Sequence, residues 1–315
     1  MNLLKFLITG GLGFIGSHLV DELSKSNNQI MILTKTLSKK SNLAKSSKKI
    51  CIKRMDITNF QKVGKVITEF KPNTIIHLAG NTSHSKSFEK PLQDVDSNTK
   101  TTLFMLEKIR ELKLSCKFIL GSTFIVIGKP KKLPVNENTP CNPTTIYGTT
   151  RLASEHLCKI YHELYGINTN IFRITNSYGP REQIIPNKNA VNFLINQASK
   201  QKRLSIYNKG EFFRDLIFVD DVISGIITIL KKGKPGELYW ISSGRKTWFK
   251  KFAHILQKIT ECEIDFPKTP KYTQKVDVGS FVADNKKLRT LGWKPKISIE
   301  KGISKTLDYF SKNKI

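Results

Sequence analysis

A chain of 315 residues, 39% of them hydrophobic and 25% charged, can bury a sizeable core in one large or two intimately joined units. It has no run approaching the roughly 18 consecutive apolar residues of a membrane span, and its five scattered cysteines, with no CxxC pair, argue against both a disulfide framework and a metal centre. The formal charge of +28 comes mostly from lysines spread along the whole length without arginine–aromatic clustering, so it describes a surface that attracts anionic substrates rather than a reader of nucleic acid.

The apolar run at residues 3–8 predicts a first strand, which empties into Thr9-Gly10-Gly11-Leu12-Gly13-Phe14-Ile15-Gly16 and continues as an amphipathic helix from Ser17. Because Met1 to Ile8 leads straight into the glycine turn, no signal peptide is expected and the expected compartment is the cytoplasm. Of these glycines, one permits a tight turn, one lets a pyrophosphate approach bare backbone and one allows close helix–strand packing, with the phosphate on the helix N-terminus. The spacing is GxxGxxG where the commoner dinucleotide fingerprint is GxGxxG, so the flanking strand and helix carry the assignment. A second strand is predicted at 29–33, a polar basic loop at 38–49, and a third strand at 50–55 ending at Asp56. Residues 60–70 have helical spacing, 74–80 form an uncharged buried-strand run, 101–114 an amphipathic helix and 116–120 another strand. Such alternation implies right-handed βαβ units, hence a doubly wound parallel α/β sheet. A long helix at 147–165, a strand at 168–174 and a turn at 176–180 follow. Beyond them the pattern is mixed, with helices at 190–200, 219–230, 250–261 and after Ser298, and strands at 204–207 and 237–241. The expected division is a dinucleotide-binding domain over 1–180, to which later segments return, and an interleaved substrate lobe over 181–315.

Ser122 and Thr123 end one strand, and Tyr147 opens the long helix with Arg151 four residues on. Ligands of a doubly wound sheet bind beyond the carboxyl ends of its strands, which puts the Thr123 hydroxyl on the dinucleotide side. A cation one helical turn from a phenol favours the phenolate and makes Tyr147 a proton carrier. Taken alone, the same pair reads better as a surface Tyr–Arg couple on an ordinary helix.

Together these residues resemble the extended short-chain dehydrogenase/reductase family, in particular its nucleotide-sugar epimerases and reductases, nearly end to end. The landmarks are the Thr9 to Gly16 turn, Asp56-Ile57, His77-Leu78-Ala79-Gly80, Asn98, Ser122-Thr123 ahead of Gly128, and Tyr147. They continue with Arg173-Ile174-Thr175-Asn176-Ser177-Tyr178-Gly179-Pro180-Arg181, Arg214-Asp215 before Val219-Asp220-Asp221-Val222, and Leu291-Gly292-Trp293. The resemblance implies a Rossmann-type sheet, NAD or NADP as cofactor, a nucleotide-diphosphate sugar as substrate, and a homodimer formed through the helices at 101–114 and 147–165. It makes Tyr147 the general acid/base and lets Thr123 hold the same sugar oxygen. Cofactor contacts fall to Gly10, Gly13, Phe14, Ile15 and Gly16, to Lys35, Asp56 and Ile57 around the adenosine, and to Leu78, Ala79, Gly80, Asn98, Tyr147 and Arg151. Asn176 and Arg214 take the substrate pyrophosphate, unless Arg214 is an ordinary salt-bridge residue to Asp215 or another acid. No metal is implied.

Four departures bear on the chemistry. The family's catalytic Lys is Arg151 here, a planar fork in place of a compact ammonium. Dehydratases of the family place Asp-Glu directly after the active Thr, whereas this chain has Phe124-Ile125, which argues against water elimination. The second strand ends in Thr34-Lys35 where NAD users carry Asp, and Lys35, with Lys39 and Lys40 near, suits a 2′-phosphate. An Arg often found just before the segment equivalent to Val276-Asp277 is replaced by Gln274 and Lys275. The reading is an NAD(P)-dependent nucleotide-sugar epimerase acting at C4 through a transient 4-keto sugar. One alternative is a nucleotide-4-ketosugar reductase, favoured by Lys35. The other, motivated by Arg151, is a catalytically silent dinucleotide-binding protein.

Overall fold

Strands and helices alternate through the first half of the chain, and the strands carry apolar side chains on both faces. The computed structural model describes residues 3–38, 42–43, 50–82, 84–184, 190–200, 203–267 and 278–313; Lys39, Lys40, Gln274, Lys275 and most of the 38–49 loop lie outside the described residues. The main strands are β1 (Lys5–Thr9), β2 (Gln29–Thr34), β3 (Ile50–Arg54), β4 (Thr74–His77), β5 (Lys117–Thr123) and β6 (Thr169–Ile174). Short strands follow, β7 (Asn176–Tyr178), β8 (Leu204–Ser205), β9 (Phe213–Arg214) and β10 (Leu216–Phe218), before β11 (Leu238–Ile241), β12 (Thr247–Trp248) and β13 (Ile264–Asp265). Seven of them form one sheet in the order β11-β6-β5-β4-β1-β2-β3, parallel throughout. The chain runs outward from β1 to β3 and then returns to β4 on the other side of β1. That reversal is the topological switch point, where a doubly wound sheet opens a crevice for ligands.

Period-2 alternation divides the core. Phe6, Ile8, Ile32, Ile76, Ile119 and Phe172 point to one face, and Leu7, Leu33, Ile75, Phe118, Leu120 and Ile171 to the other. Helices α1 (Phe14–Ser24) and, further along, Val219–Lys232 cover the first face through Leu19, Val20, Val222 and Ile226. Helices α2 (Phe60–Phe70), Thr101–Glu111 and Ile146–Tyr165 cover the second through Val63, Ile67, Met105, Ile109 and Cys158.

Among the segments that differ from their sequence expectation, two bear on the site. Residues 176–178, expected as a turn, form β7 and pair in parallel with β10; three residues are too few to show a period, and the pairing is a tertiary event. Residues 84–100, for which no element was expected, form α3 (His84–Glu89), α4 (Pro91–Asp94) and a π-helical turn, Val95–Lys100, that runs into α5 (Thr101–Glu111). The buried side of this stretch is Ser87, Asp94, Asn98, Thr101 and Thr102, so hydrophobic periodicity has nothing to register.

The glycine turn is a steric necessity. Gly10 has φ +72°, and a Cβ on Gly16 would lie 2.2 Å from the Gly10 carbonyl oxygen, so helix and turn can approach this closely only without that side chain. Beside the turn, the His77 ring ties β4 to β1 and to α5. The Ala79 N–H donates to Thr9 Oγ1 at 3.1 Å, so the Thr9 proton goes to His77 Nδ1 at 2.7 Å. His77 Nε2–H then donates to Thr101 Oγ1 at 3.2 Å, whose own proton goes to the Ser97 carbonyl at 2.8 Å. A neutral imidazole that accepts at Nδ1 and donates at Nε2 satisfies every group in this chain of hydrogen bonds.

Burial, with Arg151 adding to it, pushes the His77 pKa down from 6.5 to about 3. Between these values the unfolded chain binds a proton that the folded chain refuses, so stability is complete above about pH 6.5 and falls as the pH drops below it. The expected contribution is about 1.4 kcal/mol per pH unit. Urea unfolding at about pH 7, 6 and 5 should show a shallower acid slope for His77→Asn than for the wild type; equal slopes would mean that the ring does not stay neutral.

Candidate active site

At the outer end of the crevice, α1 begins at Gly13, whose amide bonds the Gly10 carbonyl at 2.9 Å. No side chain caps this helix and no acid occupies its first turn, which leaves its N–H groups and positive dipole end suited to a phosphate. Leu12 is buried, and Phe14 and Ile15 are half-buried at the first turn. Beyond β2 and β3, Asp56 accepts from the Thr58 amide at 3.0 Å and hydroxyl at 2.9 Å and meets Lys35 at 2.9 Å. Desolvation raises the Asp56 pKa, but the Thr58 hydrogen bonds and Lys35 outweigh it and hold the carboxyl below its ordinary value. Lys35 is 82% exposed, and Ile57 is buried beneath the pair. The structure therefore brings Lys35 to the end of β2 and engages it with Asp56.

The switch point itself is polar and tightly built. Leu78, Ala79 and Gly80 leave β4 half-buried. Gly80 has φ +148°, and a Cβ there would lie 2.2 Å from Asn98 Oδ1 and 3.0 Å from Arg151 Nη2. Any side chain would fill the opening that these groups border. Helix α6 (Ile146–Tyr165) is started by Thr145, whose hydroxyl accepts from the Gly148 amide, and it carries Tyr147 and Arg151 on its buried side. The Arg151 guanidinium carbon lies 6.0 Å from the centre of the Tyr147 ring, so the cation and the phenol are adjacent. Arg151 is 2% exposed, yet its Nε and Nη1 find no hydrogen-bond partner among the described residues, and neither does Asn98 Oδ1. Burying such donors unmatched is costly. One cationic donor set and one acceptor beside a side-chain-free opening fit a hydroxyl-bearing group such as a ribose.

Thr123 ends β5 half-buried, and its Oγ1 accepts from the Ile125 amide at 3.3 Å, which leaves the hydroxyl proton to donate elsewhere. Phe124 turns to Phe281, ring centres 4.9 Å apart, and Ile125 is buried, so this stretch carries neither acid nor base. Ser122 faces away and donates to Glu155 at 2.5 Å. Glu155 also holds Arg173, with Nη2 at 2.6 Å, in a pair that is almost wholly buried. Arg173 is thus a structural partner of α6.

The pairing of β7 with β10 aligns Asn176 with Leu216, and the Asn176 amide donates to the Asp215 carbonyl at 3.0 Å, which sets Asn176 beside the segment that carries Arg214. Asn176 Oδ1 is buried without a hydrogen-bond partner among the described residues. Arg214 Nη1 donates to the carbonyls of Phe213 and Gly279, and its guanidinium stacks 4.9 Å from the Phe212 ring centre. Asp215 accepts from Thr175, from the amide and hydroxyl of Ser243 and from the amides of Gly244 and Ala283. Burial raises its pKa against these hydrogen bonds. Asp215 is a clamp for three loops, a role the sequence reading missed. Also missed were Asp94, Thr150 and Asn81; Asp94 stands one helical turn before Asn98, and that spacing was the available signal. Among the described residues no group of His, Cys, Asp and Glu could hold a metal ion, and no helix is long and apolar enough to cross a membrane.

Known proteins share this architecture. A family model described as GDP-mannose 4,6 dehydratase matches residues 7–306. A putative UDP-glucose 4-epimerase of Methanocaldococcus jannaschii is 31% identical over 313 residues, covering 98% of each chain. The crystal structure of UDP-glucose 4-epimerase from Thermotoga maritima with UDP-glucose superposes with a TM-score of 0.91 at 28% identity, covering 99% of this chain and 100% of that one. UDP-glucuronic acid 4-epimerase from Bacillus cereus, in complex with UDP-glucuronic acid and NAD, gives 0.86 at 29% identity over 98% and 99%. Fold and landmarks together define an extended short-chain dehydrogenase/reductase of the nucleotide-sugar epimerase and dehydratase group. Within it, the chain belongs to the GDP-mannose 4,6-dehydratase family.

The unmatched guanidinium has a measurable consequence. Arg151→Met keeps the bulk and removes the buried charge, so the ligand-free protein is expected to gain about 1–3 kcal/mol, while added NAD or NADP no longer raises its thermal midpoint as it does for the wild type. A variant markedly less stable than the wild type without ligand would show that Arg151 is satisfied internally.

Proposed function

We propose that the protein is an NAD(P)-dependent nucleotide-sugar epimerase that acts at C4. The observation that carries this reading is the buried Arg151, with two donor atoms unmatched, beside Tyr147 and the open acceptor of Asn98 at the switch point. The epimerases similar to this chain, crystallised with UDP-sugars and in one case NAD, support it. In this reading residues 1–180 hold the dinucleotide and 181–315 the sugar nucleotide. Gly10, Gly13 and Gly16, with Phe14 and Ile15, hold the pyrophosphate at α1; Lys35, Asp56 and Ile57 border the adenosine; Leu78, Ala79, Gly80, Asn98 and Arg151 border the nicotinamide ribose. Asn176 and Arg214 hold the substrate pyrophosphate. When bound, the nicotinamide supplies a hydride acceptor and donor.

Thr123, its acceptor capacity engaged by Ile125, donates to the sugar oxygen and orients it. Tyr147 takes the hydroxyl proton as the C4–H bond breaks and returns it once the keto sugar has presented its other face, so no unassisted charge develops on oxygen. The guanidinium of Arg151, adjacent to the Tyr147 ring, balances the charge on the phenol oxygen through the cycle. Elimination of water at C5 and C6 has no acid or base at Phe124-Ile125, and no 4-keto-6-deoxy product is expected from a nucleotide hexose. Exposed Leu103 on α5 and Ile160, Leu164 and Tyr165 on α6 support pairing of two copies through these helices.

Turnover on a panel of nucleotide sugars, followed by sugar analysis, tests the reading. Tyr147→Phe should lower the rate by about 10²–10⁴-fold and leave NAD affinity nearly unchanged, whereas a 4-keto-6-deoxy product or a fully active Tyr147→Phe variant would overturn the assignment.

Lys35 favours the reductase as a second reading, with NADPH consumed once per turnover. Its exposed pair with Asp56 is worth no more than about 1 kcal/mol, which a 2′-phosphate can displace. Lys35→Asp is therefore expected to move the NADP/NAD affinity ratio about tenfold toward NAD, as read by titration. A wild type that already prefers NAD strongly would reduce Lys35 to surface charge.

A further inference from the structure

Asp94 is 1% exposed, and no landmark or expected site residue accounts for it. Its Oδ1 accepts from Asn81 Nδ2 at 2.5 Å. Its Oδ2 accepts from Thr150 Oγ1 at 2.6 Å and from Asn98 Nδ2 at 3.1 Å. Because the Thr150 proton goes to the carboxylate, the Thr150 oxygen is free to accept from the same Asn98 amide nitrogen, also at 3.1 Å, and the two neighbouring acceptors share one N–H of that amide. The Asn98 NH₂ is thereby held on the Asp94–Thr150 side, and Oδ1 is left on the other, against Gly80 and without a hydrogen-bond partner among the described residues.

The backbone enforces the same orientation. Asn98 sits within the π-helical turn Val95–Lys100, a widened turn of the kind that recurs at functional sites. Its carbonyl accepts from Thr102 Oγ1 at 2.8 Å and from Ser154 Oγ at 3.1 Å, while Thr99 Oγ1 donates to the Thr150 carbonyl at 3.0 Å. The turn is therefore fastened to α6 on both sides of Thr150. Only the carboxamide rotation remains to be set, and Asp94, which offers acceptors only, sets it.

We propose that Asp94 is a positioning residue: by taking an Asn98 amide proton together with Thr150, it holds Asn98 Oδ1 toward the Arg151–Gly80 opening as an acceptor for a hydroxyl of the bound dinucleotide. This rests on the dinucleotide reading given above. Were the amide reversed, its NH₂ would face the Arg151 guanidinium, two donor groups together in a buried site.

The test is titration of the full chain with NAD, NADP and UDP, beside thermal unfolding without ligand. Asp94→Asn replaces an acceptor-only group by one that can also donate, which frees the Asn98 amide to turn. Dinucleotide affinity should fall about tenfold, with UDP affinity unchanged. Unchanged NAD and NADP affinity in Asp94→Asn overturns the proposal, as does a loss of UDP affinity equal to the loss for the dinucleotides. If Asp94→Asn does not fold, Thr150→Val decides, because it removes one acceptor of the amide; it should weaken NAD and NADP but not UDP, and equal effects on all three overturn the proposal. A wild type that binds neither dinucleotide defeats the underlying reading instead, and the titration of the unmodified chain shows this before any variant is compared.

Discussion

Arg151 places a permanent cation in the interior of the switch point and makes no ion pair there among the described residues. Everything around it is arranged in consequence. The imidazole of His77, which in water titrates near neutrality, is held neutral by burial and by this charge, so it serves as a hydrogen-bond relay between β1 and α5. Gly80 keeps the side chain of β4's exit loop out of the guanidinium's way. The nearest acidic group in the network, Asp94, reaches Asn98 and Thr150 instead of the cation. A direct pair would have satisfied both charges and closed the opening. With an amide interposed, the acceptor and the donors both face outward.

The same region explains why a polar seam runs through an otherwise apolar wall. Helices α5 and α6 cover the sheet with Met105, Ile109 and Cys158, but where they approach the carboxyl ends of the strands their contact changes to hydroxyls and amides, Thr99, Thr150 and Ser154 against the π-helical turn. Hydrogen bonds constrain rotation in a way that apolar packing does not. The lower half of the layer supplies stability through burial, and the upper half fixes the direction of a few atoms. On the opposite side of the cleft Asp215 does related work, joining three loops through five accepted hydrogen bonds so that Arg214 and Asn176 remain near each other.

The sheet was legible in the sequence because its strands, such as Phe6 to Ile8 and Thr74 to His77, are apolar on both faces and are separated by amphipathic helices. The glycine turn was legible because its flanks are a strand and a helix. What escaped was of two kinds. Short strands such as β7 and β10 depend on a partner far away in sequence and have no period of their own. The stretch from 84 to 100 buries Ser87, Asp94 and Asn98, so a reading based on hydrophobicity sees a loop. Asn98 and Tyr147 were reachable through resemblance and spacing, but the carboxylate that orients Asn98 was not, since its role depends on three partners from separate segments. Arg214 was read as a holder of the substrate pyrophosphate, with a salt bridge to Asp215 or another acid as the alternative, and neither reading reached the Asp215 carboxylate's hydrogen bonds to backbone amides and hydroxyls of three loops.

The replacement of a lysine by Arg151 acquires a different meaning in this setting. A lysine ends in one compact group of donors that can swivel, whereas a guanidinium presents a rigid plane and needs room at its edge. That room exists: Nη2 lies 3.0 Å from where even a methyl on Gly80 would begin, and Asn98 Oδ1 borders the same space. The plane lies near the Tyr147 ring, a contact open to a delocalised cation and of less benefit to an ammonium held by water or hydroxyls. A cavity left behind by a lost activity would be expected to collapse around, or to pair, its stranded charge, because an unmatched buried cation is among the costlier features a fold can retain. Here the guanidinium's unpaired edge is preserved by a glycine with no alternative, an amide fixed from behind and a neutral histidine. Such an arrangement fits a retained dinucleotide site, which the epimerase and the catalytically silent binding protein share, so turnover and not the presence of Arg151 is what separates those two readings.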